Sequence, residues 1–376
     1  MARGEPHTRG GAMKKILLTL AALVFAACSD DLTGPTALMS TGQSADQAAT
    51  SLTVMTRNMY VGTDVDRVIE TPDPNQIPFV VGEVWQLLLA NDYSQRAAAM
   101  AREIAANRPH VVGLQEVSLF RQQYPADFQL NAQDTVIDFI PTLLAELAAL
   151  GETYVLVAQI QDTDVELPRL NPDFTLTDVR LTDYDAIIAR SDVEVSNVSS
   201  ANYAASVPGP MGLTILRGWV AADVTVGDQT YRVLNTHLEP VETADGYFQG
   251  LQAVELIDLL AGEIRPTVLL GDLNTEAPSG DTYVDLIADG FMDAWDLRAG
   301  LLDTGFTCCH DNDLSSDAGV FHKRIDHVLV RNFEDLWSRA GANPVRAEIV
   351  GDEPGDKTPS GLWPSDHGGM VVRMQL

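Results

Sequence analysis

Short apolar runs alternate with amphipathic segments along most of the chain. The run 267–270, TVLL, has the composition of a strand buried on both faces, and it stops at Gly271. Other runs with strand character are 52–58, 111–117, 154–160, 185–190, 218–226, 231–237, 324–330 and 370–376. Apolar positions three and four apart predict helices at 81–106, 135–150, 247–263 and 281–289. Because the strands and helices lack a strict βαβ alternation, we predict a layered α/β sandwich.

Polar side chains occur in pairs at the ends of two predicted strands. Asp272 and Asn274 follow the central run, and Asn235 and His237 end the strand 231–237. Residues two apart in an extended chain point to the same side, so each pair faces one point. A carboxylate and a carboxamide aimed together suit a phosphate and a metal ion.

Further polar residues lie at the ends of, or within, other apolar strands. Asn58 ends the first strand, Gln115 and Glu116 end the run 111–117, and Asp326 lies among apolar neighbours in the strand 324–330. A carboxylate buried in such a strand is expected to have a metal ion or a cationic side chain as its partner. The long polar segment 161–183 is predicted to be a substrate-side loop.

The N-terminus has the pattern of an export signal. Lys14 and Lys15 precede an apolar stretch, 16–27, which is too short to span a bilayer as a helix. Its end, LVFAAC, resembles a bacterial lipobox, which implies lipidation of Cys28, although plain secretion remains an alternative. We therefore expect a signal peptide at 1–27, a flexible tether at 28–50, a folded domain at 51–376, and a periplasmic or cell-surface lipoprotein.

The composition narrows the choice of substrate. The chain has 24 Lys and Arg against 53 Asp and Glu, giving a net charge of −29. Such acidity argues against extensive non-specific binding to a nucleic acid backbone, because that affinity comes mainly from Lys and Arg. It remains compatible with a site whose own cation supplies the positive charge.

Six short elements, taken in order, resemble the endonuclease/exonuclease/phosphatase superfamily. They are Asn58, Gln115 with Glu116, NTH ending at His237, GDLN at 271–274, RID ending at Asp326, and SDH ending at His367. This superfamily includes DNase I-like nucleases, bacterial sphingomyelinases and inositol-polyphosphate 5-phosphatases. The resemblance covers residues 52–376. It implies a four-layered α/β sandwich of two packed mixed β-sheets flanked by helices.

The resemblance also implies a role for each matched residue. Glu116, helped by Asn58, would hold Mg²⁺, with Mn²⁺ or Ca²⁺ as alternatives, and Asp366 would support His367 or a second metal. His367 would pair with Asp326, and Asp272 would orient or deprotonate the attacking water. Asn274 and His237 would stabilise the transition state.

The expected activity is therefore hydrolysis of a phosphodiester by a monomeric, metal-dependent enzyme. The substrate would be nucleic acid, a phospholipid or a small phosphodiester. A sphingomyelinase-like phospholipase C is an alternative, although the sequence reveals no clear exposed aromatic hairpin. An inositol-polyphosphate phosphatase ranks lower because the loops are poor in Lys and Arg. A catalytically silent binding protein with the same fold is the alternative from another class.

Three features depart from the family pattern or lie outside it. His327 stands where an aromatic residue is common. The segment 59–107, with Trp85 and Tyr93, is long for its position and would either shape the pocket or cap a sheet edge. Cys308 and Cys309 would form a strained vicinal disulfide or remain two buried thiols, and a zinc site with His310 lacks the usual ligand spacing.

Overall fold

A computed structural model describes residues 51–209, 214–240, 242–243, 246–298, 303–340 and 344–376. The expected signal peptide 1–27, the tether 28–50 and the lipidation residue Cys28 lie outside these ranges. They therefore remain predictions.

The strands follow the order of the chain, and most match the apolar runs of the sequence. They are β1 Ser51–Asn58, β2 Val111–Gln123, β3 Asp134–Asp138, β4 Tyr154–Leu170, β5 Leu176–Arg190, β6 Glu194–Asn202, β7 Val207–Pro208, β8 Thr214–Ile215, β9 Gly218–Val226, β10 Gln229–His237, β11 Glu242–Thr243, β12 Gly246–Tyr247, β13 Thr267–Asp272, β14 Met292–Asp293, β15 Asp326–Arg331, β16 Val345–Val350 and β17 Gly369–Gln375.

The helices are α1 Asp66–Ile69, α2 Ile77–Ala90, α3 Tyr93–Asn107, α4 Phe139–Ala149, α5 Phe248–Leu260, α6 Asp281–Ala288, α7 Ala294–Leu297 and α8 Glu334–Ala340. Short 3₁₀ turns lie at Pro74–Gln76 and Pro354–Asp356. Among the described residues, no helix has both the length and the apolar character needed to cross a bilayer.

Two mixed sheets form the centre of the fold. The first has the strand order β16-β17-β1-β2-β5-β4, with β3 also paired to β2, and the second has the order β14-β15-β13-β10-β9-β6. The pairs β1/β2 and β10/β13 are parallel, and their outer neighbours run antiparallel. The parallel pairs place the carboxyl ends of four strands at one end of the two sheets.

Alternation along β13 shows how the sheets are buried. Val268 and Leu270 pack into the cluster between the two sheets, and Leu269 packs on the other side. That second cluster contains Leu256 of α5 and Leu286 of α6. The predicted strand buried on both faces is therefore confirmed.

A third cluster covers the outer face of the first sheet. It contains Met100 of α3, Leu143 of α4, and Trp85 and Tyr93 from the long segment 59–107. Trp85 and Tyr93 are core residues, so they do not line a pocket. Helices, sheet, sheet and helices form four layers, and the predicted four-layered α/β sandwich is confirmed.

Several sequence-based element boundaries were wrong. The predicted helix 81–106 is two helices, because Asp92 takes a left-handed backbone with φ of 37° between α2 and α3. The predicted helix 135–150 begins as strand β3 and becomes helical only at Phe139. The run 111–117 does not end at Glu116, because β2 continues to Gln123.

The segment 161–183 is not a loop. It forms most of a long hairpin in which β4 and β5 pair from Tyr154 and Arg190 to Leu170 and Leu176. Both strands extend beyond the buried part of the sheet, so many of their residues are polar. The alternation of apolar and polar residues expected of a strand is therefore not visible in this segment. Phe174 lies in the turn at the tip and is 84% exposed.

One buried carboxamide connects the two sheets. Asn235 of β10 accepts a hydrogen bond from Gln115 Nε2 at 2.6 Å, and its Nδ2 donates to the carbonyls of Leu114 and Ala186 at 2.9 and 3.0 Å. Gly113 of β2 leaves the space for this side chain, since a Cβ there would lie 2.4 Å from Asn235 Oδ1.

We expect Gly113→Ala to lower the free energy of unfolding by about 1–3 kcal/mol or more, because the new methyl group overpacks the site and displaces Asn235. In an Asn235→Ala background the same change should cost clearly less. Urea unfolding of the two single variants and the double variant measures this coupling. Gly262→Ala is the matched control, because nothing lies within 4 Å of a Cβ at that position. If the effects of the two substitutions on the free energy of unfolding were strictly additive, Gly113 would not act through the contacts of Asn235.

Candidate active site

The polar strand ends predicted from the sequence meet at one edge of the two sheets. In the second sheet, Asp272 at the end of β13 is paired with His237 of β10 and with Asp326 of β15. In the first sheet, Asn58 ends β1, and β17 begins just after His367. Because β1 and β13 both end at this edge, side chains from the two sheets reach each other.

Asp272 lies at the centre of this group. Its Oδ2 accepts a hydrogen bond from Asn58 Nδ2 at 3.1 Å and lies 3.7 Å from both His237 Nε2 and His367 Nδ1. Its Oδ1 accepts the backbone N–H of Asn274 at 2.9 Å. Burial and the neighbouring Asp326 raise the pKa of Asp272 to about 7.

His367 and Asp326 form the predicted pair. The ring Nδ1 lies 2.9 Å from Asp326 Oδ2, and both side chains are buried. Burial opposes the charged ring, but Asp326, Asp366 and Asp272 together hold the pKa of His367 well above its usual value. Buried Arg57 donates to the His367 carbonyl and is itself paired with Glu103 at 3.0 Å, which fixes the backbone of His367.

His237 has the opposite character. Burial, followed by the charges of Arg217 and His367, lowers its pKa well below the usual value, so the ring is neutral. Arg217 Nη1 lies 3.0 Å from His237 Nδ1. Because a guanidinium can only donate, Nδ1 accepts, and the single ring proton lies on Nε2. On Nε2 this proton faces Asn274 Nδ2 at 3.0 Å, so two donors stand side by side with no hydrogen bond between them.

Glu116 and Asn58 lie on the side of the first sheet. Asn58 Nδ2 donates to Glu116 Oε1 at 2.9 Å, and Glu116 Oε2 accepts the backbone N–H of Val61 at 2.7 Å. Glu116 sits in a bulge where the pairing of β2 with β5 shifts between Leu114 and Val117. Its φ of 55° is rare for a side-chain-bearing residue, and such strain is concentrated at functional sites.

Asp366 is half-buried beside this group. Burial raises the pKa of Asp366 to about 6, with His367 lowering it and Glu116 raising it. Its Oδ1 accepts from Ser365 Oγ at 3.3 Å. The described hydrogen bond of His367 goes to Asp326, so Asp366 affects the ring through charge alone.

The donor chemistry fits a divalent cation. Asp272 and Asp326 offer carboxylate oxygens within 4.8 Å of each other, and Asp326 Oδ1 is buried without a hydrogen-bond partner. His367 lies in the same cluster, but its protonated ring is not a ligand. Together with Glu116 and Asp366, these carboxylates outnumber the positive charges in contact with them. Hard oxygen ligands with excess negative charge suit Mg²⁺ or a similar ion.

A cluster of buried acids next to the site was not identified from the sequence. Asp162 and Asp185 are buried, and none of their four carboxylate oxygens has a hydrogen-bond partner. Burial raises the pKa of both well above the usual value. Burial and Glu116 raise the pKa of Asp183 to about 7. The charge of Arg217 opposes all three shifts.

Arg217 therefore interacts both with His237 and with the cluster of buried aspartates. Its Nε donates to Glu239 Oε2 at 3.1 Å while its Nη1 contacts His237. Burial opposes its charge, but Glu239 and the buried aspartates hold the pKa of Arg217 above its ordinary value. Glu239 stands two residues after His237, so the i, i+2 pattern could have identified it. Arg217 precedes β9 and carries no local signal.

The long segment 59–107 stabilises the backbone next to the site. Arg96 of α3 donates to the carbonyls of Met59, Tyr60 and Pro364 at 2.8–3.1 Å. It thus joins the chain after β1 to the chain before His367. The segment therefore does more than cap a sheet edge, because it fixes the backbone on both sides of the site.

Cys308 and Cys309 form a disulfide beside His367. The peptide between them is cis, so their Cα atoms are 3.0 Å apart rather than the trans value of about 3.8 Å used in the sequence analysis. Cys309 Sγ lies 3.9 Å from His367 Nε2. His310, the third member of the zinc site considered from the sequence, stacks on Trp363.

His327 faces away from the site. Its Nε2 lies 2.9 Å from the Thr275 carbonyl, its Nδ1 lies 3.9 Å from Asp293 Oδ2, and its side chain is fully buried. The departure at this position therefore changes the packing behind Asp326 and leaves the substrate side unaffected.

Comparison with known proteins identifies the family of the chain. The model of the endonuclease/exonuclease/phosphatase family matches residues 85–367, which is more than half of the chain. Comparison with curated proteins found no match. Many solved structures are similar to this chain, and two of them illustrate the shared fold.

The first is an endonuclease/exonuclease/phosphatase family protein from Leptotrichia buccalis, with 16% identity, a TM-score of 0.52, and coverage of 86% of this chain and 100% of that chain. The second is an endonuclease/exonuclease/phosphatase from Bacteroides vulgatus, with 18% identity, a TM-score of 0.52, and coverage of 87% and 99%. The fold, the family match and the converging polar residues lead to one assignment: the chain belongs to the endonuclease/exonuclease/phosphatase family of phosphoester hydrolases.

Proposed function

We propose that this chain is an exported, metal-dependent phosphodiesterase that cleaves its substrate by in-line attack of water, in the manner of a nuclease. The observation that carries the proposal is the convergence on Asp272 of Asn58, His237 and His367 from two sheets. A carboxylate surrounded by hydrogen-bond donors suits a reaction in which a proton leaves water while charge develops on phosphoryl oxygens.

Each residue has a distinct task in this scheme. Asp272 accepts the proton of the attacking water as the new oxygen–phosphorus bond forms. Neutral His237 presents its Nε2–H, and Asn274 its amide, to the phosphoryl oxygens. His367, held by Asp326, contributes positive charge as the bond to the leaving oxygen breaks, and that oxygen then takes up a proton from solvent.

Glu116 and Asn58 are the residues that would hold the cation, with Asp366 next to them. Mg²⁺ is the ion we propose, with Mn²⁺ or Ca²⁺ as alternatives. When bound, the ion neutralises charge on the phosphoryl group and acts as a Lewis acid. Asn58 also keeps its contact with Asp272, so it links the cation side of the site to the base.

A sphingomyelinase-like phospholipase C is the second candidate, and one observation favours it. The sequence had revealed no exposed aromatic hairpin, but Phe174 lies exposed at the tip of the β4–β5 hairpin. Tyr124, Phe128 and Leu130 are also exposed on the segment that follows β2. Such a group suits contact with a lipid surface. A catalytically silent binding protein remains the third candidate.

The activity can be tested with supercoiled plasmid, sphingomyelin vesicles and bis-p-nitrophenyl phosphate in parallel. We expect the full-length protein to nick plasmid in the presence of Mg²⁺, and we expect EDTA to abolish this activity. The substitution Asp272→Ala or His367→Ala should lower the rate of nicking by about 100- to 10,000-fold. Asp258→Ala, on the exposed face of α5, is the control and should remain active.

The other outcomes of this assay distinguish the alternatives. Release of phosphocholine with intact plasmid, weakened by Phe174→Ser, would favour the phospholipase. Hydrolysis of the nitrophenyl diester alone would indicate a small phosphodiester substrate. Silence of the wild-type protein on all three would reject the enzymatic proposal in favour of a binding protein.

Arg217 is expected to act as a positioning residue for His237. Arg217→Met should lower kcat by about 10- to 100-fold with a smaller change in KM, because His237 loses the contact that fixes its proton on Nε2. Arg217→Lys should recover part of the rate. Arg232→Met is the matched control, since Arg232 is similarly buried but pairs with Asp223 away from the site. Equal losses of kcat in Arg217→Met and Arg232→Met would indicate a purely structural role.

The membrane anchor is tested at Cys28. We propose that it becomes the lipidated first residue of the mature protein, on the strength of the LVFAAC pattern. In a bacterial host, the wild-type protein should sediment with membranes and Cys28→Ser should appear in the soluble exported fraction or remain uncleaved. Identical fractionation and mass for the two proteins would argue against lipidation.

A further inference from the structure

A second group of carboxylates lies at the β4–β5 hairpin, away from the residues described above. Asp127 follows β2, Glu166 is on β4 and Asp178 is on β5. Each offers an oxygen that lies within 4.8 Å of the others. None of the three takes part in the contacts of the candidate active site.

The backbone explains how the three carboxylates meet. Glu166 is paired with Arg180, so Asp178, two residues before Arg180, is its diagonal neighbour on the same face of the hairpin. The chain after β2 then folds over this face. Asp178 Oδ2 accepts the N–H groups of Asp127 and Phe128 at 2.6 and 2.9 Å.

Glu166 holds the same segment in the same way. Its Oε2 accepts the N–H groups of Asn131 and Ala132, both at 2.8 Å. One oxygen of Glu166 and one oxygen of Asp178 therefore tie the segment 127–132 to the hairpin.

The second oxygens of Asp178 and Glu166 indicate a ligand-binding site. Asp178 is fully buried, and its Oδ1 has no hydrogen-bond partner; Glu166 Oε1 is likewise buried and unpartnered. Burying a carboxylate oxygen without a partner costs free energy, and bringing three carboxylates together adds repulsion. A cation at this point would remove both costs.

Protein side chains do not supply that cation. Among the described residues, no Lys, Arg or His forms an ion pair with Asp127, Glu166 or Asp178. The nearby Arg180 is bound to Asp164 through two contacts, of 2.8 and 2.6 Å.

We propose that Asp127, Glu166 and Asp178 form a binding site for a hard divalent cation, with Ca²⁺ as the best fit. The donors are all oxygens, which disfavours zinc. Ca²⁺ accepts six to eight oxygen ligands in flexible geometry, and exposed Asp127 leaves room for water to complete the shell. The bound ion clamps the segment 127–132 onto the hairpin and orders it beside exposed Phe128 and Leu130.

The test is calorimetric titration of Ca²⁺ into the full-length, EDTA-stripped protein. The wild-type protein should show a binding event that persists in Glu116→Gln, which removes a carboxylate of the candidate active site. Asp178→Asn and Glu166→Gln should weaken it by at least about tenfold, since even second-shell changes cost metal sites that much. Both variants keep one amide oxygen for the backbone N–H groups, lose the charge, and replace the second oxygen by an NH₂ group that cannot bind a cation.

Asp134→Asn, an exposed residue of β3, is the matched control and should bind Ca²⁺ as the wild type does. No Ca²⁺ event at millimolar concentration in Glu116→Gln would overturn the proposal, as would unchanged binding in both Asp178→Asn and Glu166→Gln. If circular dichroism shows that buried Asp178→Asn fails to fold, the half-buried Glu166 position carries the test.

Limited proteolysis provides a readout that is independent of hydrolysis. Ca²⁺ should slow chymotrypsin cleavage after Phe128 and Leu130 several-fold in the wild type and not in Glu166→Gln. Equal protection in both proteins would contradict the proposed clamp. Because neither measurement uses a phosphoester, this inference stands or fails separately from the proposed phosphodiesterase activity.

Discussion

The side chain of Asn235 crosses from the second sheet to the first at the level where the strands end. It accepts from Gln115 and donates to two carbonyls of the first sheet, while the rest of the space between the sheets is filled by apolar residues. A carboxamide in such a place is stable only if its hydrogen bonds are made, so one relative position of the sheets is favoured. That position brings Asn58 of one sheet to within 3.1 Å of Asp272 of the other. The site depends on this alignment more than on any single catalytic group.

The electrostatics of the site follow from which charges are buried together. His367 is surrounded by carboxylates and keeps its proton, whereas His237 is buried beside a guanidinium and loses it. One residue type thus supplies a charged group and a neutral donor within one site, each 3.7 Å from the same carboxylate oxygen. The acids that surround them exceed the available positive charge, and the proposed cation would correct this imbalance.

Residue spacing predicted the parts of the site that depend on strand parity. Leu273 follows Asp272 and is buried against the helices, as alternation requires. Asn274 lies beyond β13 with a left-handed backbone, so its position near His237 comes from the turn and not from parity. The same spacing predicted that Asn235 and His237 point to the same side of β10, and they do. Asn235, however, lies two residues farther from the end of the strand, where it joins the two sheets and does not face the site. The bulges at Glu116 and Asp162 interrupt pairing, and no local pattern reveals them. Arg217 reaches His237 only because β9 and β10 are neighbours, and a contact between strands is absent from single-sequence periodicity.

The outer part of the β4–β5 hairpin is stabilised by different interactions from the rest of the fold. The strands that hold the site are buried on both faces, so their shape is fixed by apolar packing. The outer part of the hairpin is polar, and the segment after β2 is held there by hydrogen bonds to Glu166 and Asp178 rather than by a core. Elements with few buried apolar contacts open at low free-energy cost, so ligands and charge control their order more than core packing does. The catalytic edge is therefore the rigid part of the molecule, and the hairpin is the part whose surface can be adjusted to a substrate without disturbing Asp272 and its partners.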